Sequence, residues 1–294
     1  MTSVTKGNLT GVGALLLWGT LVALIKSISD SFGVSLGTAL IYTIGAIVAF
    51  IVNGIPKFSL ISKGYLFGAG SLFVIYEIVF SQAIAMSVTP QQTLEVGMLN
   101  YLWPCMIVLF SIWINNIKLR WIVWPGMALT ICGIYFCVAA NSSLNVAKLI
   151  NNIITVPLPY IFGITAAVTW ALYSNLSVRW SKGVNGVPIF FSVIALILWI
   201  RFFLSGEPFH YPGISPLCQL IFIGCVFSLS YIMWEKGINH GNFIFLAICS
   251  YFSPALSMFF ATVWLKATPP LEYWFGVGLV VVGSLVCWLS NIRR

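Results

Sequence analysis

The sequence predicts an all-α polytopic membrane protein: ten transmembrane helices as two inverted five-helix repeats, with both termini cytoplasmic. Three observations carry that prediction. Apolar residues make up 60% of the 294 and charged residues only 7%, against roughly 45–50% and about 25% in soluble domains. Apolar runs of spanning length recur along the whole chain, about 20 residues being enough to cross the hydrocarbon core. The second half also repeats features of the first at a nearly constant offset.

The first run, residues 9–25, is followed by no small-residue cleavage site, so it reads as a retained helix and not a signal peptide. Runs at 36–55, 65–86, 92–114 and 121–140 follow, bounded by charges, Gly, Pro or Asn. A polar stretch separates these five from runs at 158–178, 187–204, 217–234, 242–265 and 271–290. The chain therefore divides into a first repeat (residues 1–140), a connector (141–157) and a second repeat (158–294). With the N-terminus inside, the cytoplasmic segments hold Lys6, Lys57, Lys63, Lys118, Arg120, Arg179, Lys182, Lys236, Arg293 and Arg294. The other face holds Lys26, Lys148, Arg201 and Lys266. That excess of basic residues places both termini in the cytoplasm of a bacterial inner-membrane protein and makes the connector periplasmic.

A shift of 150 carries Trp124, Gly126, Leu129, Gly133 and Cys137 onto Trp274, Gly276, Leu279, Gly283 and Cys287. The same shift carries Tyr101, Pro104 and Phe110 onto Tyr251, Pro254 and Phe260, and a shift of 152 carries Ala14 and Trp18 onto Ala166 and Trp170. Five is an odd number of spans, so the second repeat must be upside down relative to the first. Inverted repeats put a binding site near the midplane and let the halves exchange access, which points to a transporter. Gly126 and Gly133, seven apart on one helix face, read as a place where backbones approach closely.

Other classes are excluded on the same residues. The net charge of +8 comes from basic residues scattered one or two per gap, with no stripe for nucleic acid. The seven cysteines form no C-x-x-C pair or metal spacing and read as small hydrophobes, so neither a metal nor another cofactor is expected. No H-E-x-x-H, G-x-S-x-G or Walker A pattern occurs, and His210 and His240 stand alone, so an enzyme is not expected.

Ionisable groups inside lipid are costly and face a cavity or a partner. Glu77 lies near the middle of the third run and Glu95 in the outer part of the fourth, with Phe227 and Phe245 at their 150-shifted positions. A carboxyl without a counter-charge in hydrocarbon favours its neutral form. Glu77 is thus a candidate proton carrier or anchor for a substrate amine, the alternative being an interhelical hydrogen bond. At about 100° per residue, Gln92, Glu95, Val96, Leu99 and Trp103 share one helix face, and Trp170, Tyr173, Ser174 and Ser177 share another. Trp121, Trp124, Trp199, Trp264, Trp274 and Trp288 fit an interfacial belt, whereas Trp18, Trp103 and Trp170 sit deeper. Pro104 and Pro254, at matched depths, are candidate hinges because a missing N–H weakens the ladder there.

Residues 95–104, Glu-Val-Gly-Met-Leu-Asn-Tyr-Leu-Trp-Pro, closely resemble a motif of the bacterial aromatic amino acid exporters in the EamA-type branch of the drug/metabolite transporter superfamily. Lys63-Gly64-Tyr65, Tyr76-Glu77-Ile78, Ile150-Asn151-Asn152, His240-Gly241-Asn242 and Ser250-Tyr251-Phe252 extend the resemblance along the chain. One departure stands out: many relatives carry Gly-Glu where the fourth and ninth helices end, and this chain has Asn115-Asn116 and Leu265-Lys266. The resemblance implies export of phenylalanine, tyrosine and tryptophan through a central cavity lined by both halves. Such a cargo needs polar partners for its zwitterion and stackable walls for its ring. Trp18, Tyr76, Tyr101, Trp103, Trp170 and Tyr173 are expected to supply walls, and Glu77, Glu95 and Asn100 polar contacts. The expected partners are thus an aromatic amino acid, the lipid bilayer and, if Glu77 carries them, protons. A polyspecific exporter of lipophilic cations and a cargo-free complex subunit are the competing readings.

Overall fold

The computed structural model describes residues 3–56, 61–114, 116, 121–140, 145–181, 184, 186–241, 246 and 249–289. The long elements among them are all helical. They begin with α1 (Ser3–Phe32), α2 (Val34–Asn53), α3 (Gly70–Ala85, entered through a π-helical stretch over Gly64–Ala69), α4 (Pro90–Asn100) and α5 (Trp103–Ile114). Then come α6 (Val123–Ala139), α7 (Val146–Thr155), α8 (Pro157–Trp180), α9 (Val187–Ser205), α10 (Ile214–His240), α11 (Ser253–Trp264) and α12 (Leu271–Leu289). Among the described residues, six stretches are long and apolar enough to cross a bilayer: Ser3–Phe32, Val34–Asn53, Gly64–Ala85, Pro90–Ile114, Val187–Ser205 and Ile214–Trp234. The chain is a multi-pass membrane protein. Of the basic residues used to orient it, Lys57, Lys118, Arg120, Lys182, Arg293 and Arg294 lie outside the described residues, as do Asn115 and Asn242.

Two features differ from the sequence expectation. The fourth apolar run is not one helix: Thr89 caps the start of α4 by accepting the Gln92 N–H at 3.1 Å, and α4 ends at Asn100 before α5 restarts at Trp103. Because Pro104 is the second residue of α5, its missing N–H falls where no intrahelical bond is due. The ladder is interrupted upstream, at Tyr101–Leu102. The connector, in turn, contains a helix, α7, whose apolar spacing at 146, 149, 150, 153 and 154 was readable beneath its polar residues.

The helices cluster into two compact units, each drawing on both halves of the chain. Unit 1 comprises Met1–Ser62 and Ser181–Phe260. In it α1 packs on α10, and α2 packs on α9 and α10. The α1/α10 crossing is backbone to backbone: a Cβ on Gly237 would fall 2.6 Å from Gly11 Cα. The Trp199 indole, expected in the interfacial belt, donates to Thr43 Oγ1 at 2.9 Å and ties α9 to α2. At the N-terminus of α2 the Glu207 carboxylate accepts the Ser35 and Leu36 N–H groups at 3.0 and 3.4 Å, pairing donors that have no partner within the helix.

Unit 2 comprises Lys63–Trp180 and Ala261–Arg294. Its α8 is the hub, packed by α3, α4 and α5, while α6 pairs with α12. At the α6/α12 crossing a Cβ on Gly133 would lie 2.6 Å from the Gly276 carbonyl oxygen, and one on Gly283 would lie 2.6 Å from that of Gly126. The Cys137 thiol donates to the Tyr273 carbonyl at 3.4 Å, and the Cys287 thiol to the Val123 carbonyl at 3.7 Å. Adding 150 to one member of each pair and subtracting it from the other turns each contact into its neighbour.

Backbone conformation repeats at the same offset. Leu102 N–H donates to Leu99 at 3.1 Å, and Phe252 N–H to Cys249 at 3.1 Å. Asn116 and Lys266 are the non-glycine residues with positive φ among those described, at 52° and 53°.

Candidate functional site

Eight of the nine predicted cargo residues lie in unit 2, on α3, α4, α8, the α4–α5 turn and the first residue of α5. Residues three and four apart share a helix face, so Phe73, Tyr76 and Phe80 form a stripe on α3, and Trp170 and Tyr173 meet it from α8. The Tyr76 and Trp170 rings are 4.6 Å apart at 40°, Trp170 and Tyr173 5.3 Å, and Phe73 and Tyr173 5.1 Å. Tilted and edge-to-face rings at these separations attract beyond their burial and hold one another rigidly. Tyr76 also stacks on Phe80 at 5.8 Å. Phe73 and Phe80 were missed by the sequence reading, although their spacing from Tyr76 was visible.

Polar groups border this cluster. Asn100, 5% exposed at the last turn of α4, lies beside the Tyr76 hydroxyl. Its Oδ1 is buried and has no hydrogen-bond partner among the described residues. An amide oxygen has two lone pairs, and a buried acceptor left unpaired is costly enough to call for a partner. Glu77 is 1% exposed on α3, directly after Tyr76. Tyr101, in the turn, is also buried, and Trp103 is half-buried at the start of α5.

Glu95 has a different environment. Its carboxyl accepts the Tyr160 hydroxyl at 2.6 Å, an interhelical bond from α4 to α8 with both residues buried. The Gln92 side chain lies beside Tyr160 and accepts the Val88 N–H at 2.7 Å. Tyr160 carried no signal in the sequence, because a tyrosine near a helix start reads equally well as an interfacial anchor.

Trp18, the ninth predicted residue, lies in unit 1. Its ring is 5.4 Å from Tyr231 and 5.2 Å from Trp234 on α10. Its indole Nε1 is buried without a hydrogen-bond partner among the described residues. Of the candidate hinges, Pro104 opens α5 in unit 2 and Pro254 opens α11 in unit 1, each just after a turn. Of the tryptophans assigned to the belt, Trp121, Trp124 and Trp264 are exposed, and the Trp288 side chain lies outside the described residues.

Aromatic rings beside buried polar groups on apolar helices describe a transporter-like interior but do not name its kind. Sequence similarity does. The chain is 35% identical to the protein named aromatic amino acid exporter YddG from Escherichia coli K12, over 98% of each chain. It is 34% identical to the protein of that name from Salmonella typhimurium 14028s, over 98% of this chain and 99% of that one. The chain belongs to the YddG family. A more distant YddG, from Ancylobacter novellus, is 28% identical over 99% of this chain and 100% of that one. The model of the EamA-like transporter family matches residues 157–289, in the second half of this YddG-family chain. In fold, a crystal structure of a protein 24% identical matches with a TM-score of 0.69, covering 99% of this chain and 100% of the other.

Proposed function

We propose that this protein exports aromatic amino acids across the bacterial inner membrane as a secondary transporter. Its ten spans form two inverted repeats, residues 1–140 and 158–294, which alternate access about the periplasmic connector, with both termini cytoplasmic. The names of its full-length relatives support the cargo, and the exchange of contacts at the α6/α12 crossing supports the inverted repeat. The observation that carries the reading is the join of a ring cluster, Phe73, Tyr76, Trp170 and Tyr173, to an unpaired buried acceptor, Asn100 Oδ1.

The chemistry follows from the cargo. An aromatic ring gains by leaving water for apolar, tilted neighbours. Its ammonium group cannot leave water without acceptors, and Asn100 Oδ1 offers one. Glu77 supplies a buried carboxyl for the ammonium or for a proton. Glu95, already engaged by Tyr160, holds α4 against α8. The turns before Pro104 and Pro254 leave the helix ladder interrupted at matched positions, where a rocking motion bends most easily.

The test is entry of labelled phenylalanine into liposomes holding the purified protein, against empty liposomes. Export of aromatic amino acids predicts entry that unlabelled tryptophan suppresses and a lipophilic cation does not. Suppression by the cation with no effect of tryptophan would overturn it in favour of a drug exporter.

A further inference from the structure

α7 is the one described helix whose apolar residues are gathered on a single side and left uncovered by the rest of its unit. Val146, Ile150 and Ile154, at the i, i+4, i+8 spacing of one face, are 53%, 50% and 69% exposed. Thr155 falls on the opposite side by helical spacing, and Asn151 at the flank of the stripe. Both are exposed, and the Thr155 hydroxyl donates back to the Asn151 carbonyl at 2.8 Å. In water this arrangement would leave three large aliphatic side chains uncovered on a helix of ten residues, too short to be stable without a surface to bind.

The chain fixes where that surface is. α6 ends at Ala139 and α8 begins at Pro157, and α7 packs against both. α7 therefore sits between the adjoining ends of α6 and α8. The exposed apolar stripe does not stop at α7. Past the elbow at Val156–Pro157 it continues along α8 through Leu158, Ile161 and Ile164, all exposed on a helix whose other side is the hub of unit 2. An apolar stripe on the outside of a spanning helix faces lipid, and the α7 face is continuous with it.

We propose that α7 is an interfacial helix, lying along one leaflet with Val146, Ile150 and Ile154 in the headgroup–acyl boundary. Its partner is the phospholipid surface itself. A helix with an apolar face and a polar face binds there through its buried apolar area, sensitively to lipid composition and packing. Because only Val156 separates α7 from α8, its depth sets the height of the helix that carries Trp170 and Tyr173.

The experiment is spin-label accessibility on the full chain in phospholipid vesicles, with no cargo present, so its outcome is independent of what the protein transports. Labels are placed by Ile150→Cys, Ile154→Cys and Thr155→Cys in a background with Cys132, Cys218, Cys225 and Cys249 changed to Ala. The expected result is a ratio of oxygen to nickel-chelate accessibility several-fold higher at 150 and 154 than at 155. Nickel-chelate accessibility equal at all three sites would overturn the proposal by putting α7 in water. Low accessibility to both reagents at 150 and 154 would overturn it by showing a protein surface, such as a second copy, on that face. Hydrogen exchange on the unmodified chain gives a second reading. Amides of residues 146–155 are expected to exchange slowly in vesicles, and exchange as fast as in an unfolded peptide would also overturn the proposal.

Discussion

The Tyr76·Trp170 pair of unit 2 and the Tyr231·Trp18 pair of unit 1 are built alike and equipped differently. Trp18 and Trp170 are related by the 152-residue offset, and an offset of 155 carries Tyr76 onto Tyr231. The first pair joins α3 to α8 with rings 4.6 Å apart; the second joins α10 to α1 with rings 5.4 Å apart. Around the first pair stand Tyr173, Phe73, the buried acceptor of Asn100 and the carboxyl of Glu77. The second has Trp234 and Phe191 nearby and an unpaired indole N–H. At the 155 offset Glu77 corresponds to Ile232. The scaffold is duplicated and the polar chemistry is not: beside the rings, unit 2 presents the Asn100 amide oxygen and unit 1 the Trp18 indole N–H, each buried without a partner among the described residues.

The largest test of that contrast is Asn100→Leu. Losing a hydrogen bond to a charged group costs about 1.5–3 kcal/mol, or roughly tenfold to a hundredfold in affinity. In the wild type, phenylalanine should compete against labelled phenylalanine far better than phenylpropionate, which lacks the ammonium group. In the variant the two competitors should become comparable. A gap that persists would remove Asn100 from the ammonium site.

Next in size is Tyr160→Phe, which probes the acid that only the first repeat carries, Phe245 standing at the matching position of the second. Removing the hydroxyl leaves the Glu95 carboxyl buried with one bond fewer, a loss of about 1–2 kcal/mol. The expected outcome is a lower melting temperature with phenylalanine affinity unchanged. A fall in affinity at unaltered stability would return Glu95 to the cargo site.

These two residues also mark where the sequence was readable. Helical class and most span positions followed from apolar run length, because lipid leaves a chain few alternatives. The ring cluster was partly visible, because Tyr76, Trp170 and Tyr173 are large and sit deep in apolar runs. The Glu95–Tyr160 bond joins residues 65 apart, and no local pattern records a contact at that separation. The break at Tyr101–Leu102 was displaced from its signal for a geometric reason: Pro104 marks the first turn of the new helix and not the end of the old one. α7 was legible as a periodicity but was obscured by the Asn and Lys residues among its apolar positions.

Trp18→Phe is the smaller counterpart of the Asn100 test. It keeps the ring and deletes only the N–H, whose nitrogen is buried without a partner among the described residues, so an effect of about 1 kcal/mol or less is expected. The melting temperature should be unchanged or slightly raised, because the deleted N–H has no partner among the described residues. A melting temperature lowered as far as in Tyr160→Phe would show that the N–H is bonded.

The smallest expected effect separates the two repeats where their chemistry matters least, at Asn116 and Lys266. Both hold the left-handed conformation that ends a helix, at φ 52° and 53°. For an ordinary side chain that conformation costs roughly 1–2 kcal/mol, whereas asparagine visits it routinely. Glycine removes the strain but gives the unfolded chain more freedom, which returns roughly 0.4–1 kcal/mol. Lys266→Gly should therefore stabilise by somewhat less than about 1 kcal/mol, and Asn116→Gly should be neutral or slightly destabilising. Thermal denaturation of the two variants side by side reads the difference. If both were destabilised equally, the shared backbone angle would be held by surrounding contacts and not by residue preference, and the two helix ends would be matched in energy as well as in shape.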